Sequence, residues 1–104
     1  MFTVVVTAVF HPAEGKKEQL AQALKTAIPA VHEEEGCLLY AIHDAEDGTI
    51  TMIEKWTSAD LLDAHANGPA VEALNAAVGP FLASPTVVTK MTPIPAGTDK
   101  QGIL

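Results

Sequence analysis

His65 is the residue best suited to moving a proton. An imidazole titrates near neutral pH and can act as a base without help from a metal. It stands on a helical segment that follows Trp56 and can face a sheet. The structural alternative is a packing or dimer-contact histidine. Glu54 and Trp56 are two residues apart on a strand-like run, so they share a face. Glu54 can orient His65 or a substrate hydroxyl, or it can satisfy donors in an interface. Trp56 offers a wide apolar face for stacking on a flat ring, or for packing in a core. Tyr40 can donate to a substrate oxygen or lie in a seam between sheets. Cys37 follows a helix end, where no positive field lowers a thiol pKa, so a reactive thiol is not expected. His11, His32 and His43 are scattered without a metal-ligand spacing. His43 falls near a hairpin and reads as solvated. The chain carries no dinucleotide fingerprint and no phosphate loop.

Short elements must position these side chains. Phe2 to Phe10 is β-branched and aromatic and reads as a strand, ended by His11-Pro12. Leu20, Leu24, Ala27/Ile28 and Val31 recur at helical spacing. Pro29 lies inside that pattern and predicts a kink or a break. Gly36 is a natural stop, and Glu33-Glu34-Glu35 before it read as a solvated helix end. Cys37 to Asp44 and Thr49 to Thr57 read as strands joined through Glu46-Asp47-Gly48, hence a hairpin. Thr57-Ser58-Ala59-Asp60 fits a capping box opening a short helix. Asn67-Gly68-Pro69 stops it and starts another, with Val71, Leu74, Val78 and Phe81/Leu82 as its apolar stripe. Thr86 to Met91 is the last strand.

The order β-α-β-β-α-β predicts an α+β, ferredoxin-like fold with one antiparallel sheet. Residues 1–92 form the domain, and 93–104 read as an extended tail marked by Pro93, Pro95 and Gly97. The first strand is apolar on both faces: Val4, Val6, Ala8 and Phe10 alternate with Val5 and Val9. A sheet with one face in water should be polar there, so a second cover is expected, and a twin subunit supplies it.

At 104 residues the chain supports one domain. Its net charge is -7 and it contains no Arg, which disfavours nucleic acid and any dianion held by a guanidinium fork. A single cysteine excludes an internal disulfide. The apolar N-terminal run lacks a basic flank and is too short to span a bilayer, so no membrane role and a cytoplasmic location are expected.

Three segments share one ordered pattern: Glu35-Gly36-Cys37-Leu38-Leu39-Tyr40, then Ile53-Glu54-Lys55-Trp56-Thr57-Ser58, then Leu62-Asp63-Ala64-His65. The series resembles the antibiotic biosynthesis monooxygenase domain family over about residues 2–92, and its small quinol-monooxygenase-like members most. That resemblance implies a homodimer whose two sheets form an α+β barrel, with one pocket per subunit between sheet and helices. Members oxidise quinol-like or polyketide phenols with O₂ and no cofactor, degrade haem, isomerise a signalling molecule, or have no known activity. The haem-degrading branch carries an Asn on the first strand and a Trp and a His on the second helical region. Here Thr7, His65 and Asn75 stand near those places, so haem breakdown is disfavoured.

The expected function is a cofactor-independent monooxygenase acting on a small aromatic phenol or quinol. His65 is the expected catalytic base, and Trp56, Glu54 and Tyr40 are the expected substrate contacts. Neither a metal nor another cofactor is expected. An isomerase or lyase using the same pocket, and a non-catalytic dimeric binding module, are the alternatives. An apolar cavity of aromatic size favours the oxygenase, several converging polar groups favour the isomerase, and a filled pocket favours the module.

Overall fold

The structure is a computed structural model that describes residues 3–104. The expected strand start at Phe2 lies outside the described residues. Strand β1 (Val4–Phe10) leads to helix α1 (Lys17–His32), then strands β2 (Cys37–Asp44) and β3 (Ile50–Trp56). Helices α2 (Ala59–Ala66) and α3 (Pro69–Val78), a 3₁₀ turn at Gly79–Phe81 and strand β4 (Val87–Met91) complete the order. The four strands make one antiparallel sheet in the order β2-β3-β1-β4. This is the ferredoxin-like α+β fold, with the second helical region divided at Gly68-Pro69. No helix among the described residues is long and apolar enough to cross a membrane.

Alternation places Val6, Ala8 and Phe10 of β1 and Met52, Glu54 and Trp56 of β3 on the helix side. Leu20, Leu24, Ile28 and Val31 of α1 and Leu74 and Val78 of α3 close over them. Each buried aliphatic side chain stabilises the fold by roughly 1.5–3 kcal/mol relative to exposure. That sum decides the fate of Pro29. The proline does not break α1, which runs through it as one element. Loss of the bond from residue 29 to the Lys25 carbonyl costs about 3 kcal/mol. Lys25 and Pro29 both lie on the exposed side, so water reaches the freed carbonyl, while four buried anchors hold the opposite side.

The hairpin turn follows its sequence. Ala45 N–H donates to Thr49 O at 3.0 Å and Gly48 N–H to Ala45 O at 3.1 Å. Gly48 has φ +90°, the left-handed position that a three-residue hairpin loop needs. The cap of α2 differs from the expected box. Ser58, not Thr57, is the N-cap, and its hydroxyl accepts from Leu61 N–H at 3.2 Å. Leu61 thereby falls where the box needs an acid, so no reciprocal bond forms. Beyond β4 the chain has no regular element, but it folds back at Thr98–Gly102, where Gly102 N–H donates to Thr98 O at 2.8 Å.

Candidate active site

The β-ladder registers pair Tyr40 with Glu54, Glu54 with Val6, and Val6 with Lys90. These four therefore form one row across the sheet on its helix side, and all four line a cavity of about 450 Å³. The floor is Val6, Ala8 and Phe10 of β1 with Val88 of β4. The opposite wall is Leu62 of α2 and Val71, Leu74 and Val78 of α3. His65 enters from the last turn of α2, because Leu62 and His65 are three apart and share the buried face of that helix. Tyr40, Glu54 and His65 supply its buried polar atoms, and Asn75, Thr86 and Lys90 are its other polar lining residues.

All four sequence-predicted site residues converge. Trp56 and His65 stack with centroids 4.5 Å apart at 29°. Tyr40 meets His65 edge-on at 5.3 Å and Trp56 at 6.3 Å. Trp56 is fully buried and backs His65 rather than lining the cavity. Its Nε1–H donates to Glu54 Oε1 at 3.0 Å. Glu54 thus bonds Trp56, whereas the carboxylate against His65 is Glu34, with Oε1 2.6 Å from His65 Nδ1.

Glu34 is the site residue that sequence reasoning misses. It is read as part of a solvated helix end, yet it is half-buried against a buried imidazole. The available signal is chemical: a buried histidine needs a partner for its ring N–H, and Gly36 turns the chain back beside α2. Lys90 is missed as well. Its inward position follows from two-residue alternation with Val88, but its Nζ lies 3.8 Å from Asp63 Oδ1 in an exposed pair that contributes little to stability.

The environment sets protonation states. Burial raises the Glu54 pKa, opposed by the Trp56 hydrogen bond and by the charge of His65. Burial, then the charges of Glu54 and Glu34, pushes the Tyr40 phenol far above its ordinary value. Tyr40 is therefore a hydrogen-bond donor at neutral pH and not a base. Burial and the same two carboxylates also raise Cys37, which stays a thiol. His32 ties the end of α1 to β2 through Nε2 and Tyr40 O at 3.1 Å. His43 is exposed, with Nδ1 3.2 Å from Thr51 O. Among the described residues no group of three or more His, Cys, Asp and Glu is arranged to hold a metal ion.

A ferredoxin-like sheet with an apolar cavity under its helices, and a histidine at the polar end, defines a class of small α+β proteins. The chain belongs to the antibiotic biosynthesis monooxygenase family, whose profile matches residues 3–77. Solved structures agree. Rv0793 from Mycobacterium tuberculosis is 29% identical and superposes with a TM-score of 0.82, covering 92% of this chain and 99% of that one. Protein SO0527 from Shewanella oneidensis is 29% identical, with a TM-score of 0.78 over 88% of this chain and 90% of that one. A candidate antibiotic biosynthesis monooxygenase from Caulobacter crescentus, 24% identical, has the same fold, with a TM-score of 0.79 over 89% and 91%. No curated protein sequence matches the chain.

Proposed function

We propose that this family member is a cofactor-independent monooxygenase for a small phenol- or quinol-like aromatic, with His65 as the base. One observation carries the reading: an apolar-walled cavity of about 450 Å³ with a histidine at its polar end. Its size is in the range of small-molecule sites, and its buried polar lining residues are Tyr40, Glu54 and His65. His65 takes the hydroxyl proton, and the phenolate passes one electron to O₂. The radical and superoxide combine at a ring carbon to give a peroxide. The peroxide regains the proton. The C–H proton of the same ring carbon then leaves, its electron pair forms the carbonyl as the O–O bond breaks, and the departing hydroxide takes up that proton. One oxygen atom remains in the product and the other leaves as water, with both reducing electrons drawn from the substrate. The apolar walls exclude water from the radical pair, and Tyr40 and Glu54 orient the oxygens.

Purified protein, treated with chelator, is offered a panel of quinols and anthrone-like phenols under ¹⁸O₂. The expected result is oxygen uptake matched one-to-one by product carrying a single ¹⁸O atom. Uptake no faster than the uncatalysed background with every panel member would overturn the reading, and the isomerase or binding-module alternatives would move ahead.

The proposed enzyme works as a homodimer joined through the outer sheet face. Val5, Val9, Ile53 and Leu39 lie on that side together with Val87 and Met91. Val87 is 54% exposed, Met91 38% and Ile94 88%, so β4 and the tail leave apolar surface for a second copy to cover. A dimer of this type buries roughly 2,000 Å² or more. Light scattering behind gel filtration should give twice the chain mass of 10.9 kDa. Deletion of residues 96–104 should lower the melting temperature at equal protein concentration if the tail packs on the partner. A monomer at micromolar concentration would sink the dimer.

A further inference from the structure

The carboxylate beside His65 sits where three elements meet. Gly36 has φ +87°, and a Cβ there would stand 2.6 Å from Leu61 Cδ1 and 2.9 Å from Thr57 Oγ1. The turn after α1 is therefore pressed against the start of α2, and Thr57 N–H donates to Gly36 O at 2.9 Å to fasten it to the end of β3. A Cβ at Gly68, in the turn after α2, would stand 3.3 Å from Glu34 Oε2. The carboxylate thus sits among the ends of α1, β3 and α2, with Oε1 on His65 Nδ1 at 2.6 Å. Stacking on Trp56 and the edge of Tyr40 hold the imidazole plane from other sides. Glu34 does not line the cavity, whereas His65 does.

This arrangement separates the two ring nitrogens. An ionised carboxylate can only accept, so the proton in the Glu34–His65 bond belongs to Nδ1. A neutral imidazole has one ring proton, and its lone pair is then on Nε2. We propose that Glu34 is a positioning residue that holds His65 as the Nδ1–H tautomer, making Nε2 the atom that receives the substrate proton. When Nε2 takes that proton the imidazolium faces a carboxylate 2.6 Å away, which stabilises it until the proton is returned. This inference rests on the reading of His65 as base. The other ionisable groups around the ring are Tyr40 from β2 and Glu54 from β3. Glu54 Oε1 accepts from Trp56 at 3.0 Å, which leaves the Nδ1 role to Glu34.

Two measurements on the intact dimer test this. The first needs no substrate. Long-range ¹H–¹⁵N correlation on ¹⁵N-histidine-labelled protein should show His65 protonated at Nδ1 and bare at Nε2 at neutral pH. Glu34→Gln, which keeps the shape and loses the charge, should abolish that single tautomer, because an amide also donates. The second is kinetic: Glu34→Gln should lower kcat by at least about 10–100-fold, the cost of losing the carboxylate behind a metal-bound histidine, and by up to about 10⁴-fold, the cost behind a catalytic one. KM should change little, and Glu34→Asp should restore part of the rate. A bond that only ties α1 to α2 would lower the melting temperature and leave tautomer and kcat alone, and that result overturns the proposal. So does a wild-type His65 protonated at Nε2. If the wild type turns over no phenol while its tautomer is Nδ1–H and Glu34-dependent, the oxygenase reading fails and the positioning by Glu34 stands.

Discussion

Replacing His65 by Gln is expected to slow turnover of a phenolic substrate by about 10²–10⁴-fold, the usual cost of losing a positioned base. The large effect follows from the electron donor. A neutral phenol is a poor one-electron reductant of O₂, and its anion is a far better one. The other buried ionisable groups of the cavity do not replace the imidazole. Tyr40 is held protonated by burial and by the two carboxylates, and Glu54 already accepts from Trp56. Folding should survive. A Gln amide can still donate to Glu34 Oε1, so no buried polar group is stranded. What is lost is the stacking on Trp56 at 4.5 Å, about 0.5–1.5 kcal/mol. Steady-state kinetics on wild type and His65→Gln, after both are verified as folded and of the same oligomeric state, decide the matter. Full activity in the variant removes His65 as base and leaves it a packing residue.

The second large effect is on stability. Trp56 is fully buried at the end of β3, under His65 and beside Tyr40. Trp56→Ala should cost about 3–5 kcal/mol, from lost burial and the remaining cavity. A domain of this size has only about 5–15 kcal/mol to lose, so the variant should be near its limit. Trp56→Phe is the informative change, because it keeps most of the ring and removes the N–H to Glu54. That bond favours the charged carboxylate, while burial favours the neutral acid and raises the Glu54 pKa. A raised carboxyl pKa means that the folded state holds its proton more tightly than the unfolded state. Its contribution to stability therefore falls as pH rises from the unfolded value through the folded one. Without the indole N–H, Glu54 holds its proton still more tightly and that fall steepens. The deficit of Trp56→Phe against wild type should accordingly be larger at pH 8 than at pH 4. Urea unfolding followed by far-UV circular dichroism, at one protein concentration, gives both numbers. A deficit independent of pH would mean that the Glu54–Trp56 bond carries no weight in the folded state.

Short-range pattern made the elements readable. The alternation in β1, the 3.6-residue spacing of Leu20, Leu24 and Val31, and the glycine at position 48 each state a local preference that the folded chain obeys. Pro29 and the α2 cap show where local preference loses. A proline in the last turns of α1 is outweighed by four buried anchors, and one step of register along Thr57-Ser58 moves the cap away from its acidic partner. Tyr40, Glu54, Trp56 and His65 were nameable because strand alternation and helical spacing assign each to an inward face. Which of them touch was not nameable. Glu54 and Glu34 are both acids within reach of a histidine in any plausible folding of this order, and sequence separation does not rank a neighbour at position 54 against one 31 residues away. The sheet registers, the close approach at Gly36 and the stacking of Trp56 give Glu34 to His65 and Glu54 to Trp56. Residue type and period thus establish the fold and the inward faces, His65 among them, because those depend on local conformation and hydrophobic burial. The partner of His65 depends on how the ends of α1, β3 and α2 meet in space, and packing alone decides that.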